Sequence, residues 1–216
     1  MSVIPHLAAG LVSRPVFPLV MAGLLAAWVV IAAGPAQAVA ATAPAAGFDQ
    51  ALAAAKAALA QKDAGATLAA LRQATALAWR ELPFTALNVH LAAAPPSGYG
   101  QFIQRVDSVY RPSEPMILYL EPVGFRVNFD PQQELYTYSL TADFNLVDAW
   151  GRVVGGRREF GKFGGESRHF PDRFPLTFTY SLSGLPPGDY RVETTLRDLL
   201  GKQAHTVVTP FRIEGP

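Results

Sequence analysis

The chain has 216 residues, with 18 lysines and arginines against 17 aspartates and glutamates, and it contains no cysteine. A chain of this length has room for one or two domains. The near-neutral charge lacks the basic excess that is typical of a nucleic-acid-binding protein. The lack of cysteine excludes disulfides, thiolate metal sites and a lipid anchor on cysteine.

Residues 1–38 have the organisation of a secretory signal peptide. They carry one arginine, Arg14, and no acidic residue, and residues 16–33 form an apolar run that is followed by the small-residue pattern Ala36 to Ala38. An uncleaved anchor is the alternative, because 18 apolar residues nearly suffice to cross a bilayer. Pro18 and the helix-breaking pair Gly34 and Pro35 before this pattern favour cleavage after residue 38. We therefore expect a periplasmic or secreted protein, with membrane contact only through this segment if it is uncleaved.

Residues 39–84 change from a low-complexity stretch to a helical pattern. Residues 39–47 have no apolar periodicity and predict a disordered linker. Residues 48–84 are rich in helix-forming Ala, Leu, Lys and Gln, with apolar residues at helical spacing. Residues 63–65 divide this segment and Pro83 ends it, which predicts a helical hairpin.

The helical hairpin resembles one helix pair of a tetratricopeptide repeat. Such units need three or more copies to be stable by stacking, so we expect these two helices to pack on each other and on the β domain. Trp79 and Leu82 are the predicted docking residues. A helical interaction module for a partner is the alternative.

Residues 85–216 predict an antiparallel β-sandwich. Roughly seven to nine short apolar-alternating segments follow one another, with turn signals and no helix between them. Leu87, Val89 and Leu91 are predicted to share one face of the first strand, because side chains alternate across a strand. Residues 135–147 form the longest alternating segment. The core is predicted to contain six residues that point inward from three strands: Tyr138, Leu140, Phe144, Phe178, Tyr180 and Leu196.

Several turn motifs resemble those of bacterial extracytoplasmic immunoglobulin-like modules. They are found at residues 112–115, 148–151, 185–190 and 198–202, before a last strand that ends at residues 211–213. Tyr190 follows Pro-Pro-Gly-Asp and resembles the tyrosine corner of such domains. The resemblance covers residues 87–214, and the helical hairpin in front of it also resembles that of secreted bacterial proteins. It implies an immunoglobulin-like fold and export, and it implies no reaction.

The sequence contains no established catalytic or metal-binding motif. The histidines of residues 39–216 lie far apart in the sequence, and neither a zinc-binding motif nor a Gly-x-Ser-x-Gly motif occurs. Glu121, Asp143 and Asp148 could form the paired carboxylates of a glycosidase, but the sequence does not set their separation. We therefore predict a protein that is not an enzyme and has no metal or cofactor, with a carbohydrate-active or other envelope enzyme using a carboxylate-based site as the alternative.

Residues 152–173 are the most distinctive polar segment of the chain. They contain six basic and three acidic residues, with phenylalanines and glycines between them. One interpretation is a mobile hairpin whose arginines pair with the acidic stretch 107–148. The other is a recognition loop, because Arg and aromatic residues dominate contact energy at interfaces. The candidate binding residues of that loop are Arg157, Arg158, Lys162, Phe163, Arg168 and His169.

Together these features predict a mainly β protein with an N-terminal α-hairpin and an immunoglobulin-like antiparallel β-sandwich. The predicted function is that of a secreted or periplasmic, non-catalytic binding or assembly module of the bacterial cell envelope. Its predicted partner is an envelope protein or a glycan, and not a nucleic acid.

Overall fold

A computed structural model describes residues 44–215. The predicted signal peptide, residues 1–38, lies outside the described residues. Helix α1 spans Pro44–Ala60 and helix α2 spans Ala64–Trp79. Helix α1 therefore begins inside the segment predicted as a linker, because proline is well suited to a first helical turn and the alanines after it favour helix. Within the described part of the chain, no helix is long and apolar enough to cross a membrane.

The rest of the described chain forms two sheets that enclose one core. The first has the strand order β1-β3-β7, and the second has the order β2-β9-β8-β5-β4, with β6 also paired to β5. All pairs are antiparallel except β2 with β9. The protein is thus an immunoglobulin-like antiparallel β-sandwich with two N-terminal helices, as predicted. The strands are β1 Thr85–Ala92, β2 Val109–Tyr110, β3 Met116–Val123, β4 Asn128–Asp130, β5 Leu135–Asp148, β6 Val153–Ser167, β7 Leu176–Tyr180, β8 Gly188–Asp198 and β9 Gln203–Ile213.

Strand β6 lies at an edge of the larger sheet. Strand β5 pairs with β8 through residues 140–148 and with β4 through residues 135–137. It pairs with β6 through residues 136–147, which overlap both of those stretches. A strand has only two hydrogen-bonding edges, so β4 and β8 share one edge of β5 and β6 occupies the other.

The core contains the inward-facing residues that the alternation predicted. Leu140, Phe178, Tyr180 and Leu196 are buried in a single apolar cluster. Tyr138 and Phe144 are partly buried and pack against it. On β9 every second residue from Val207 to Ile213 is buried, as period-two spacing requires.

Strand β1 departs from its predicted register. Leu87 and Val89 are 51% and 36% exposed, although Leu91 packs against the core. The pairing with β3 shifts register between Leu87 and His90, and Asn88 has a φ of 48°. A β-bulge reverses the in/out phase of the strand. The prediction that Leu87, Val89 and Leu91 share one face is therefore wrong.

The helices join the sandwich through one buried tryptophan. Trp79 donates a hydrogen bond from Nε1 to the carbonyl of Phe125 at 2.9 Å, and its ring lies edge-on to Phe125 and Phe170. Leu82, also predicted at this contact, is 44% exposed because helix α2 ends at Trp79 and the helical spacing stops there. Gly124 has a φ of 74° and lies so close to the backbone of Pro83 that a side chain would clash.

Tyr190 forms the predicted tyrosine corner. Its hydroxyl donates a hydrogen bond to the carbonyl oxygen of Pro186 at 2.9 Å. Its ring stacks on Phe211, with 5.6 Å between the ring centroids, and packs against the core. The bond ties the β7–β8 connection to the start of β8.

We expect Tyr190→Phe to lower the free energy of unfolding by about 0.5–1.5 kcal/mol, the usual net value of a single hydrogen bond. The ring stays in place, so the loss reports the hydroxyl alone. Chemical denaturation measures it. Tyr136→Phe is the control, because the hydroxyl of Tyr136 has no hydrogen-bond partner among residues 44–215. An equal midpoint for Tyr190→Phe and the native chain would exclude this role.

Candidate functional site

The glycine-rich segment predicted as a loop forms a strand. Strand β6 covers 15 residues and pairs along most of β5. Glycine disfavours strands on its own, but here the glycines leave room for aromatic rings. A side chain at Gly165 would contact the hydroxyl of Tyr138, and one at Gly161 would overlap the ring of Phe163. Packing against β5 and the core therefore overrides the local preference, and the segment is the second strand of a hairpin with β5.

A bulge of three residues interrupts β6 opposite Asp143. Ala142 pairs with Gly161 and Phe144 pairs with Arg157, so residues 158–160 stand opposite the single residue Asp143. The Asp143 carboxylate accepts hydrogen bonds from the backbone N–H of Glu159 and from Nε of Arg197, each at 2.8 Å. Partial burial would raise the pKa of Asp143, but these two bonds outweigh it and lower that pKa. Asp143 thus stays ionised and holds the bulge.

A surface groove of about 390 Å³ lies beside this bulge. We call it the basic groove, because three arginines and one acidic residue line it. Arg197 is paired with Asp143, whereas Arg157 and Arg158 have no ion-pair partner among residues 44–215. Both of these arginines are exposed. The lining residues are Asp143, Phe144, Asn145, Val153, Gly155, Gly156, Arg157, Arg158, Thr195 and Arg197.

The other predicted binding residues of β6 lie outside the basic groove. Lys162 pairs with Glu159, with Nζ and Oε2 separated by 3.1 Å. Phe163 is partly buried and packs edge-on against Phe178, with 5.4 Å between the ring centroids. It therefore supports the core at the sheet edge.

Arg168 and His169 lie at the opposite end of the strand. The β5 partners Phe144 and Tyr136, opposite Arg157 and Ser167, are eight residues apart. At about 3.4 Å per residue this corresponds to roughly 27 Å along the strand. Arg157 and Arg158 therefore share one site, and Arg168 and His169 belong to another part of the surface.

The acidic stretch, residues 107–148, neutralises only part of the charge of the basic segment, residues 152–173. Arg152 pairs with Asp148 at 2.8 Å, as the pairing interpretation predicts, and Arg173 approaches its neighbour Asp172 at 3.9 Å. Arg168, like the two free arginines of the basic groove, has no carboxylate within ion-pair distance in the described chain. The basic segment thus retains exposed positive charge at both ends of β6.

The carboxylates that the sequence offered for an enzyme do not converge. Glu121 lies on β3, where residues 116, 118 and 120 face the core, so its side chain is on the outer face of the smaller sheet. Asp143 is on the outer face of the larger sheet, on the opposite side of the sandwich. Asp148 is five residues further along β5, roughly 17 Å from Asp143. None of these separations suits a two-carboxylate mechanism, which needs about 5–10 Å.

Each of these carboxylates also has partners within the chain. Glu121 is buried and accepts hydrogen bonds from the Tyr119 hydroxyl at 2.6 Å and from the Asn88 amide at 2.7 Å. Asp148 accepts the backbone N–H groups of Trp150 and Arg152 and so closes the β5–β6 turn. No group of three His, Cys, Asp or Glu residues within positions 44–215 is arranged to hold a metal ion.

Part of the basic groove could not be predicted from the sequence. Asn145, Thr195 and Arg197 lie on β5 and β8, outside the segment that its charge singled out. Their outward positions in alternating strands marked them as exposed polar residues. Their proximity to Arg157 depends on β5 lying between β8 and β6, and no local pattern specifies that strand order.

The sequence matches no protein-family model and no curated protein. Among solved structures, a Niemann-Pick type C2 protein from Japanese carpenter ant is similar over 62% of this chain and 94% of its own, with 9% sequence identity and a TM-score of 0.34. A likeness this distant carries no argument about function.

Proposed function

We propose that the protein is an exported, non-catalytic binding or assembly module of the bacterial cell envelope. In this proposal the basic groove holds an anionic group of an envelope protein or polymer. The observation that carries the proposal is the position of Arg157 and Arg158, two exposed arginines without ion-pair partners in the described chain, beside the paired Arg197.

The chemistry of the basic groove supports an anionic ligand. A guanidinium presents several N–H donors in a planar fork that matches a carboxylate or a phosphate. Asn145 and Thr195 add neutral hydrogen-bonding groups beside the arginines. Arg157 and Arg158 lie on a strand and a bulge that Asp143 holds in place, so little backbone order has to be gained on binding.

The cellular location in this proposal comes from the sequence. Residues 1–38 have the organisation of a signal peptide, and the turn motifs of residues 87–214 resemble bacterial extracytoplasmic immunoglobulin-like modules. An exported protein meets anionic components of the envelope, and the exposed arginines Arg157 and Arg158 on β6 could bind such a component. The carboxylates, each with partners in the chain, favour binding over catalysis.

We expect Arg157→Gln with Arg158→Gln to abolish capture of the envelope partner while the melting temperature changes little, because exposed sites without partners contribute at most about 0.5 kcal/mol each. The measurement passes an envelope extract over the immobilised protein and quantifies the captured material at low and high salt. Capture by the native chain should weaken as salt rises, because salt screens exposed charges.

The matched control is Lys56→Gln with Arg72→Gln, which removes two exposed positive charges from the helices. Capture should survive that change. If the two double variants lose capture equally, only net charge matters and the basic groove is not the site. Capture by the Arg157 and Arg158 variant at the native level would also contradict the proposal.

A further inference from the structure

Strand β6 has one unpaired hydrogen-bonding edge. Eleven of its 15 residues pair with β5 on one side, and no other described strand pairs with it. Residues 161–167 follow a regular antiparallel register against residues 136–142. In such a strand every second residue directs its N–H and C=O away from its partner. Three or four residues of this stretch therefore offer backbone donors and acceptors to solvent.

The inner side of this edge is partly apolar. Phe160 and Phe163 are partly buried and pack against the core from β6. Phe160 contacts Phe144, Phe178 and Tyr180 with ring centroids 4.8–5.7 Å apart. These rings close the core at the edge but remain partly accessible, so apolar side chains of an added strand could cover them.

The charges along the same edge are basic at both ends. Arg157 and Arg158 lie at the bulge in the first half of β6, and Arg168 follows the other end about 27 Å away. Between them Lys162 is neutralised by Glu159. A partner strand of about nine residues is long enough to cover this distance. If it carried acidic residues at both ends, its charges would lie near these arginines.

We propose that the open edge of β6 binds an extended acidic peptide segment of a partner protein by β-strand addition. This inference rests on the proposed function and names the partner class. The peptide backbone would bond to the free edge of β6, its apolar side chains would lie over Phe160 and Phe163, and its carboxylates would meet Arg157, Arg158 and Arg168. The bulge and the charges of β6 disfavour pairing with uncharged strands. Natural sheet edges have to prevent such pairing because it leads to aggregation.

A second copy of this chain would place like charges opposite one another in one of its possible registers. If two β6 strands paired antiparallel about the midpoint between Lys162 and Phe163, Arg157 would face Arg168 and Glu159 would face Glu166. Like charges directly opposite one another destabilise a strand pair. In that register a second copy is a poorer occupant than an acidic peptide.

The test uses the purified full-length chain and a synthetic peptide of about ten residues in which Val and Glu alternate, with an extra Glu at each end. The matched probe is the same peptide with an N-methyl group on every residue, which keeps the charge and removes the backbone donors of both edges. Titration calorimetry measures both, together with inorganic polyphosphate as an anion without a peptide backbone. We expect the unmethylated peptide to bind at least about tenfold more tightly than the methylated one.

The inference also predicts where the peptide binds. Amide hydrogen exchange of residues 161–167 should slow in the presence of the unmethylated peptide, and Arg157→Gln with Arg158→Gln should weaken its binding about tenfold or more. Lys56→Gln with Arg72→Gln should leave binding within about twofold. Equal affinity for the two peptides would overturn strand addition.

The controls separate this inference from the proposed function. If polyphosphate binds in an Arg157-dependent manner and neither peptide does, strand addition is wrong and the basic groove still binds anions. If none of the three probes binds, both proposals fail. Concentration-dependent dimers that disappear on substitution of β6 would assign the edge to self-association and overturn the inference.

Discussion

Phe178→Ala is expected to lower the free energy of unfolding by about 3–5 kcal/mol, as large-to-small changes of buried aromatic residues do. Phe178 is 2% exposed and lies on β7, opposite Leu118 of β3. Its ring lies 5.3 Å from that of Phe160 and 5.4 Å from that of Phe163. The substitution would thus open a cavity where the two sheets meet under the edge strand β6.

Urea denaturation followed by circular dichroism measures this loss. The control is Thr179→Ala on the same strand, because Thr179 is exposed and its substitution should cost less than about 0.5 kcal/mol. A loss below about 1 kcal/mol for Phe178→Ala would show that β7 faces the opposite way. That result would contradict the arrangement of the sandwich.

Trp79→Ala is expected to cost about 3–5 kcal/mol, because it removes a buried ring between the helices and the sandwich. It would also leave the carbonyl of Phe125 without the 2.9 Å bond that the indole donates. Trp79→Phe separates the two contributions, since it keeps an aromatic ring and loses the donor. For that variant we expect a loss of about 1–3 kcal/mol, because a buried carbonyl is left unsatisfied.

Leu82→Ala is the control for the helical contact. Leu82 is 44% exposed, although the sequence pattern predicted that it docks on the sandwich as Trp79 does. Comparing the two substitutions therefore tests the structure against the sequence pattern. We expect Leu82→Ala to cost less than about 1 kcal/mol. If Leu82→Ala were as costly as Trp79→Ala, the helices would have to pack in another orientation.

The sandwich was predictable where the apolar alternation is uninterrupted. Strands β5, β7 and β9 have a two-residue period over most of their length, so the side that faces the core is specified locally. Strand β1 was misread because one bulge at Asn88 reverses the phase, and the residues on either side give no signal of it. Helix α1 was predicted to start too late because alanine and proline are common to linkers and to first helical turns.

Strand β6 shows the limit of local pattern for the candidate site. Its glycines and charges indicated a loop, whereas pairing with β5 and the space required by the rings of Tyr138 and Phe163 make it a strand. Arg157 and Arg158 could be singled out by composition. Their grouping with Arg197, and the separation of Arg168 from them, depend on strand order and on the length of an extended chain.

The measurement that tests the central claim most directly is a nuclear magnetic resonance titration of the labelled protein with the envelope material that it captures. The proposal predicts that the largest shift changes occur at Arg157, Arg158 and Arg197, in or beside the basic groove, and that they diminish at high salt. The helices should show little change. Shift changes concentrated on residues 44–79, or unaltered by salt, would contradict the account.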